Sequence, residues 1–179
     1  MGLGITPREL LTILNEEYQE FCQLDDTTSK KHIMRCVIPS YHLHEHIWNY
    51  YKVSDPSKLD NITNSRDAYF QHLILACPSL GIIRDLCDFS KHSVLQRRTV
   101  QVKDTKVKNI IDHKEFMKAL AGIPTKHFGL VDDEGDAIIF CRKNVFYVDF
   151  LDGRPETQVD KELDTVVKFW NHLFASKGL

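Results

Sequence analysis

The spacing at which apolar residues recur changes once along the chain, and that change limits the fold more than any other feature. Up to about residue 92 the spacing is three and four, the repeat of a helix that buries one face. From Thr99 onward, stretches alternate residue by residue as half-buried strands do. Leu10, Leu11, Leu14, Tyr18, Phe21 and Cys22 lay one stripe along a first helix ending near Leu24. Thr6-Pro7-Arg8-Glu9 opens it: a hydroxyl caps, a proline takes the first helical position and a glutamate bonds back to the cap. A second helix is predicted from about Thr28 to Tyr51, with Ile33, Val37, Tyr41, Ile47, Trp48 and Tyr51 inward. Pro39, which lacks a backbone donor, is expected to kink or restart it. The polar stretch from Val53 to Ser65 reads as a loop. Helical pattern returns at Asp67, breaks at Pro78 and resumes at Ser79, which caps a helix reaching His92.

Beyond the change of period, Thr99 to Lys103 reads as a strand and Asp112 to Ala121 as a short helix closed by Gly122. "DAIIFCRKNVFYVDFLDG" holds two β-prone runs flanking Arg142-Lys143-Asn144, so an antiparallel hairpin turning at those three residues is expected, with Asp152-Gly153 as the far turn. A last helix is capped by Thr157 and buries Val159, Leu163, Val166, Val167, Trp170, Leu173 and Phe174. Helices before and after a small sheet predict an α+β fold: a predominantly helical bundle, a small antiparallel sheet or hairpin, and a C-terminal amphipathic helix. One domain over residues 1–179 is expected, helical to about 92 and carrying the sheet and last helix from about 93.

Composition excludes several classes. A chain of 179 residues buries roughly 70% of its unfolded surface, and 42% hydrophobic with 27% charged residues fits a soluble globular protein. The net charge of -2 argues against wholesale binding to nucleic acid or anionic membrane. Five cysteines, at 22, 36, 77, 87 and 141, form no CxxC and read as free thiols in a reducing cytosol. No signal-peptide pattern or apolar run of spanning length occurs, so a cytoplasmic protein without membrane contact is expected. GxGxxG, Walker and nucleophile-elbow motifs are absent from the sequence, and no cofactor is assigned.

"RDLCDFSKH", positions 84 to 92, carries the densest chemistry. At about 100° per residue, Arg84, Asp88, Lys91 and His92 share one arc of the helix, while Ile82, Ile83, Leu86, Cys87 and Phe89 cover the opposite side. Arg84 with Asp88, and Asp88 with His92, are one turn apart, so a carboxylate is placed to orient an imidazole beside a guanidinium. Such a row can bind phosphate and move a proton, as cleavage of RNA by its own 2'-hydroxyl requires. The same row is also what a solvated helix face carries. From Lys91 to Lys108, six bases (Lys91, Arg97, Arg98, Lys103, Lys106, Lys108) stand against one acid, Asp104, giving a segment of formal charge +5. That segment reads either as a draw for anions or as protection of an edge strand.

"YHLHEHIW", positions 41 to 48, places His42 and His46 one turn apart, but a metal needs three or four ligands and the sequence names no third. No metal is therefore assigned. His44 lies on the apolar face and reads as a hydrogen-bonded core histidine, whereas His42 and Glu45 would line a pocket if two helices pack side by side.

Together, "YHLHEHIW", "CPSLGIIRDLCDFSKH" and an ending of hairpin, "DGRP" and "VVKFWNHLF" resemble a set of bacterial and phage proteins without assigned activity. A more distant likeness is to the HEPN superfamily, helical-bundle proteins that include metal-independent ribonucleases with an arginine and a histidine five positions apart. Arg84-Asp85 resembles the start of that motif, with His92 eight positions on, about 12 Å along a helix, so one phosphate would be shared across a dimer. The resemblance implies RNA or nucleotide binding by a homodimer, or a ribonuclease of phage defence or a toxin system. Arg84, His92 and Asp88 would then be catalytic, and Lys91, Asp85, His42, Glu45, Arg97 and Arg98 would bind the ligand. The alternative reading is a noncatalytic interaction or oligomerising module, in which the same ionic row is a structural network.

Overall fold

The computed structural model describes residues 4–24, 29–91, 102–111 and 142–179, with backbone alone at 89–91, 104, 109–111 and 142–144. Helix α1 spans Pro7–Cys22, α2 Lys30–Ser54, α3 Arg66–Ala76 and α4 Ser79–Lys91; strands β1 Val102–Ile111, β2 Arg142–Phe150 and β3 Thr157–Gln158 follow, then α5 Val159–Lys177. The architecture is α+β and dominated by helix, with a small antiparallel sheet in the order β1-β2-β3 and a C-terminal helix.

Local chemistry sets most of these bounds. Thr6 accepts from the Glu9 amide while the Glu9 carboxylate takes the Thr6 amide at 2.8 Å, a complete capping box. Helix α2 runs unbroken through Pro39, which its neighbours hold in the core rather than at a break. Between α2 and α3 a single 3-10 turn, Pro56–Leu59, ends on Asp60 and Asn61 with φ of 52° and 61°, the left-handed region that short polar side chains tolerate. Ser65, whose hydroxyl accepts from the Ala68 amide, starts α3 one residue before the expected Asp67.

Two expectations about the sheet change. Arg142, Lys143 and Asn144 are not a turn: they lie within β2, where Asn144 pairs with Asn109 and Arg142 with Ile111. The partner of β2 is therefore β1. Thr157 belongs to β3, and Gln158 rather than Thr157 occupies the cap position of α5, while the Thr157 hydroxyl donates to Glu162 at 2.7 Å. Asp152-Gly153 does form the turn, with Gly153 at φ 75°. The expected helix at 112–121 and the first run of the expected hairpin lie outside the described residues.

One buried cluster joins the helices to the sheet: Leu14, Val37, Leu43, Ile47, Ile83 and Trp170 pack with Val102, Val148 and Phe150. Trp170 is fully enclosed, and its indole N–H donates to the Ser40 carbonyl at 3.0 Å, tying α5 to the middle of α2. Cys36, Cys77 and Cys87 are buried thiols, and burial pushes the Cys36 thiol up to about 12. Among the described residues no helix is long and apolar enough to cross a membrane.

Candidate functional site

Helix α4 is amphipathic in sequence but enclosed on nearly every side. Residues Leu80 to Cys87 are all buried, because α4 packs against α2, α3, α5 and β1. Arg84 is consequently only 8% exposed and Asp85 is fully buried. The Arg84 Nε donates to Asp85 Oδ1 at 3.1 Å, and Asp85 Oδ2 accepts the Val102 amide at 3.3 Å. The carboxylate thus binds a guanidinium from its own helix and the first amide of β1. Taking two charges out of water costs several kcal/mol each, and pairing with added hydrogen bonds is what offsets it.

This placement departs from the expected outward row. Asp88 is half-buried, one turn beyond Arg84, whereas Arg84 points into protein and takes the adjacent Asp85 as partner. The side chain of Lys91, and all of His92, Arg97 and Arg98, lie outside the described residues. Of the basic segment that follows, Lys106 bridges Asp149 at 2.9 Å and Glu156 at 2.7 Å, and Lys108 also pairs with Glu156. Glu156 is correspondingly held below the usual carboxylate range by its bonds to the two lysines. Two of the six cations are therefore matched by Asp149 of β2 and by Glu156 just before β3, and Lys108 also sits over the Tyr147 ring.

The helix α2 residues group around a different surface. His42 Nδ1 lies 2.9 Å from Glu45, whose other oxygen takes Arg66 of α3 at 2.8 Å. Burial raises the Glu45 carboxyl, but the His42 hydrogen bond and the Arg66 charge outweigh it and hold the group low. His46 Nδ1 bonds the Ile5 carbonyl at 3.1 Å. His42 and His46 both line an open groove of about 390 Å³ between α1 and α2, whose floor is Leu10, Ile13, Met34 and Ile38. His42 thus lines a groove between α1 and α2, while Glu45 is not part of its lining and pairs with Arg66 of α3. Arg35 also lines the groove and bridges Glu17 at 2.6 Å and Glu20 at 2.9 Å.

His44 points the other way. It is 2% exposed, its ring 4.2 Å from that of Phe70, and its Nδ1 faces the Tyr41 carbonyl at 2.5 Å. Burial pushes its pKa down to about 4 against the pull of that carbonyl and of Glu45, so the imidazole is neutral near neutral pH. It is a core histidine, as the sequence suggested.

A further polar cluster had no signal in the sequence. Asp60 takes Lys177 Nζ at 2.6 Å and His72 Nε2 at 3.0 Å, while Lys58 bonds the Lys177 and Gly178 carbonyls at the end of α5. Burial raises Asp60, and the Lys177 and His72 bonds more than reverse it. Its residues are scattered over 120 positions, and lysines on the last carbonyls of a helix are a capping device. Among the described residues no three His, Cys, Asp or Glu side chains converge as metal ligands. No protein-family model, no curated protein and no solved structure matches the chain.

Proposed function

We propose that the chain is a noncatalytic interaction module whose Arg84-Asp85 pair is a structural strut between α4 and β1. The observation that carries this reading is the burial of both partners, with the second carboxylate oxygen on the Val102 amide. A guanidinium serving a phosphate has to meet it in a cleft; this one would first have to leave a buried carboxylate, at a cost of about 3 to 5 kcal/mol. The pairing of Lys106 and Lys108 with Asp149 and Glu156 also reduces the positive field that would gather RNA.

The competing HEPN-like ribonuclease reading engages RNA or a nucleotide through Arg84, Asp88, Lys91 and His92. Incubating purified protein with a mixed RNA pool, with chelator present, separates the two. The interaction-module reading predicts intact RNA and no retarded complex at physiological salt. Cleavage that is lost in a folded His92→Ala protein would replace it with the ribonuclease reading.

A further inference from the structure

Among the described residues eight large apolar side chains are exposed, and five of them, Ile5, Ile13, Ile38, Tyr50 and Val53, belong to α1, α2 or the residues that lead into α1. On α2, positions 38, 42, 46, 50 and 53 follow one another at three and four, so Ile38, His42, His46, Tyr50 and Val53 form a single slowly turning stripe. Ile5 and Ile13 flank that stripe across the groove, since Ile5 meets His46 and Ile13 shares the groove floor with Ile38. The two helices run antiparallel at matched heights: Glu17 and Glu20 stand level with Arg35, and Ile5 level with His46.

We infer that this face pairs with the same face of a second copy, about a two-fold axis lying between α1 and α2 and parallel to them. The inference rests on the interaction-module reading and names its partner. Charge complementarity selects this occupant. By those anchors exposed Glu20 on α1 stands about level with exposed Lys31 on α2, and exposed Glu16 about level with Arg35. Rotation about such an axis lays the α1 of one copy over the α2 of the other without changing height. The partner's acids then fall on Lys31 and Arg35, and the partner's isoleucines fall on the α2 stripe. An isologous contact of this kind satisfies both halves at once. The sixteen residues of α2 from Ile38 to Val53 span roughly 22 Å, and two helices side by side give a footprint of roughly 450 Å² against the ~800 Å² per partner of a standard interface.

The test is sedimentation velocity on the full chain over a concentration series, with a charge-exchanged pair of variants. Wild type should sediment as twice the 20.8 kDa chain mass. A Glu16→Lys, Glu20→Lys protein and a Lys30→Glu, Lys31→Glu protein should each be monomeric and folded by circular dichroism, and mixing them should restore the dimer. Ile13→Glu with Ile38→Glu should give a monomer that no charge partner rescues. A monomeric wild type overturns the pairing and leaves the face to a different protein. Charge variants that both still dimerise overturn it as well, by placing the contact elsewhere. RNA turnover by wild type would instead sink the interaction-module reading, whatever the mass.

Discussion

Asp85 accepts the Val102 amide with one oxygen and the Arg84 guanidinium with the other, both from a fully buried carboxylate at the junction of α4 and β1. Removing it strands a cation and an amide in the core at once. Asp85→Ala should therefore lose about 3 to 5 kcal/mol of stability, measured by urea denaturation. A loss confined to the sheet, with α1 and α2 protected in hydrogen exchange, would show that the strut holds β1 in place.

Trp170 anchors α5 on α2 through a single polar contact inside the core. Trp170→Phe keeps most of the apolar contact and deletes the N–H that meets the Ser40 carbonyl. A loss of about 1 to 2 kcal/mol is expected, against about 3 to 5 for Trp170→Ala, which also opens a cavity. Equal losses in the two variants would mean that packing counts for little there.

His44 makes stability depend on acidity. Its pKa is about 4 in the fold against 6.5 as the ordinary value, so between those values the unfolded chain binds the proton and the folded chain does not. Stability therefore falls as the pH is lowered from 6.5 to 4, by at most about 1.4 kcal/mol per pH unit from this group. His44→Gln should flatten that part of the profile. Parallel profiles for wild type and variant would assign the acid loss to carboxylates alone.

The lysines of β1 offer a check on the charge argument. Glu156→Gln removes the carboxylate shared by Lys106 and Lys108, both on the exposed side of the sheet. Denaturation midpoints should scarcely move, because exposed ion pairs contribute little. Retention on heparin at low salt should rise, and the gain should vanish at high salt as counterion release dictates. Unchanged retention would show that the matched acids do not govern the local field.

Elements whose signals are local were readable from the sequence. The Thr6 to Glu9 cap, the apolar face of α5 and the change of period all depend on residues within a turn or two of one another. The site was less readable. A helical wheel put Arg84 on a polar arc with Asp88, but α4 is enclosed on the side the wheel calls wet, by β1 and its neighbours, so Arg84 turns to Asp85. Nothing in a repeat of three and four announces that a second element will cover the polar side. The run LGIIRDLC, a charged pair flanked by apolar residues on both sides, was the one available hint. Arg142 to Asn144 misled for a similar reason: three polar residues between β-prone runs resemble a turn, yet in β2 they are strand positions that pair across to β1.

Urea denaturation of Arg84→Ala, run beside an RNA assay of wild type and variant, tests the structural role of the buried pair most directly. A strut predicts a loss of about 3 to 5 kcal/mol, because the buried Arg84-Asp85 pair is broken, together with RNA left intact by both proteins. Unchanged stability in the variant, with RNA cleaved by wild type and spared by Arg84→Ala, would contradict it.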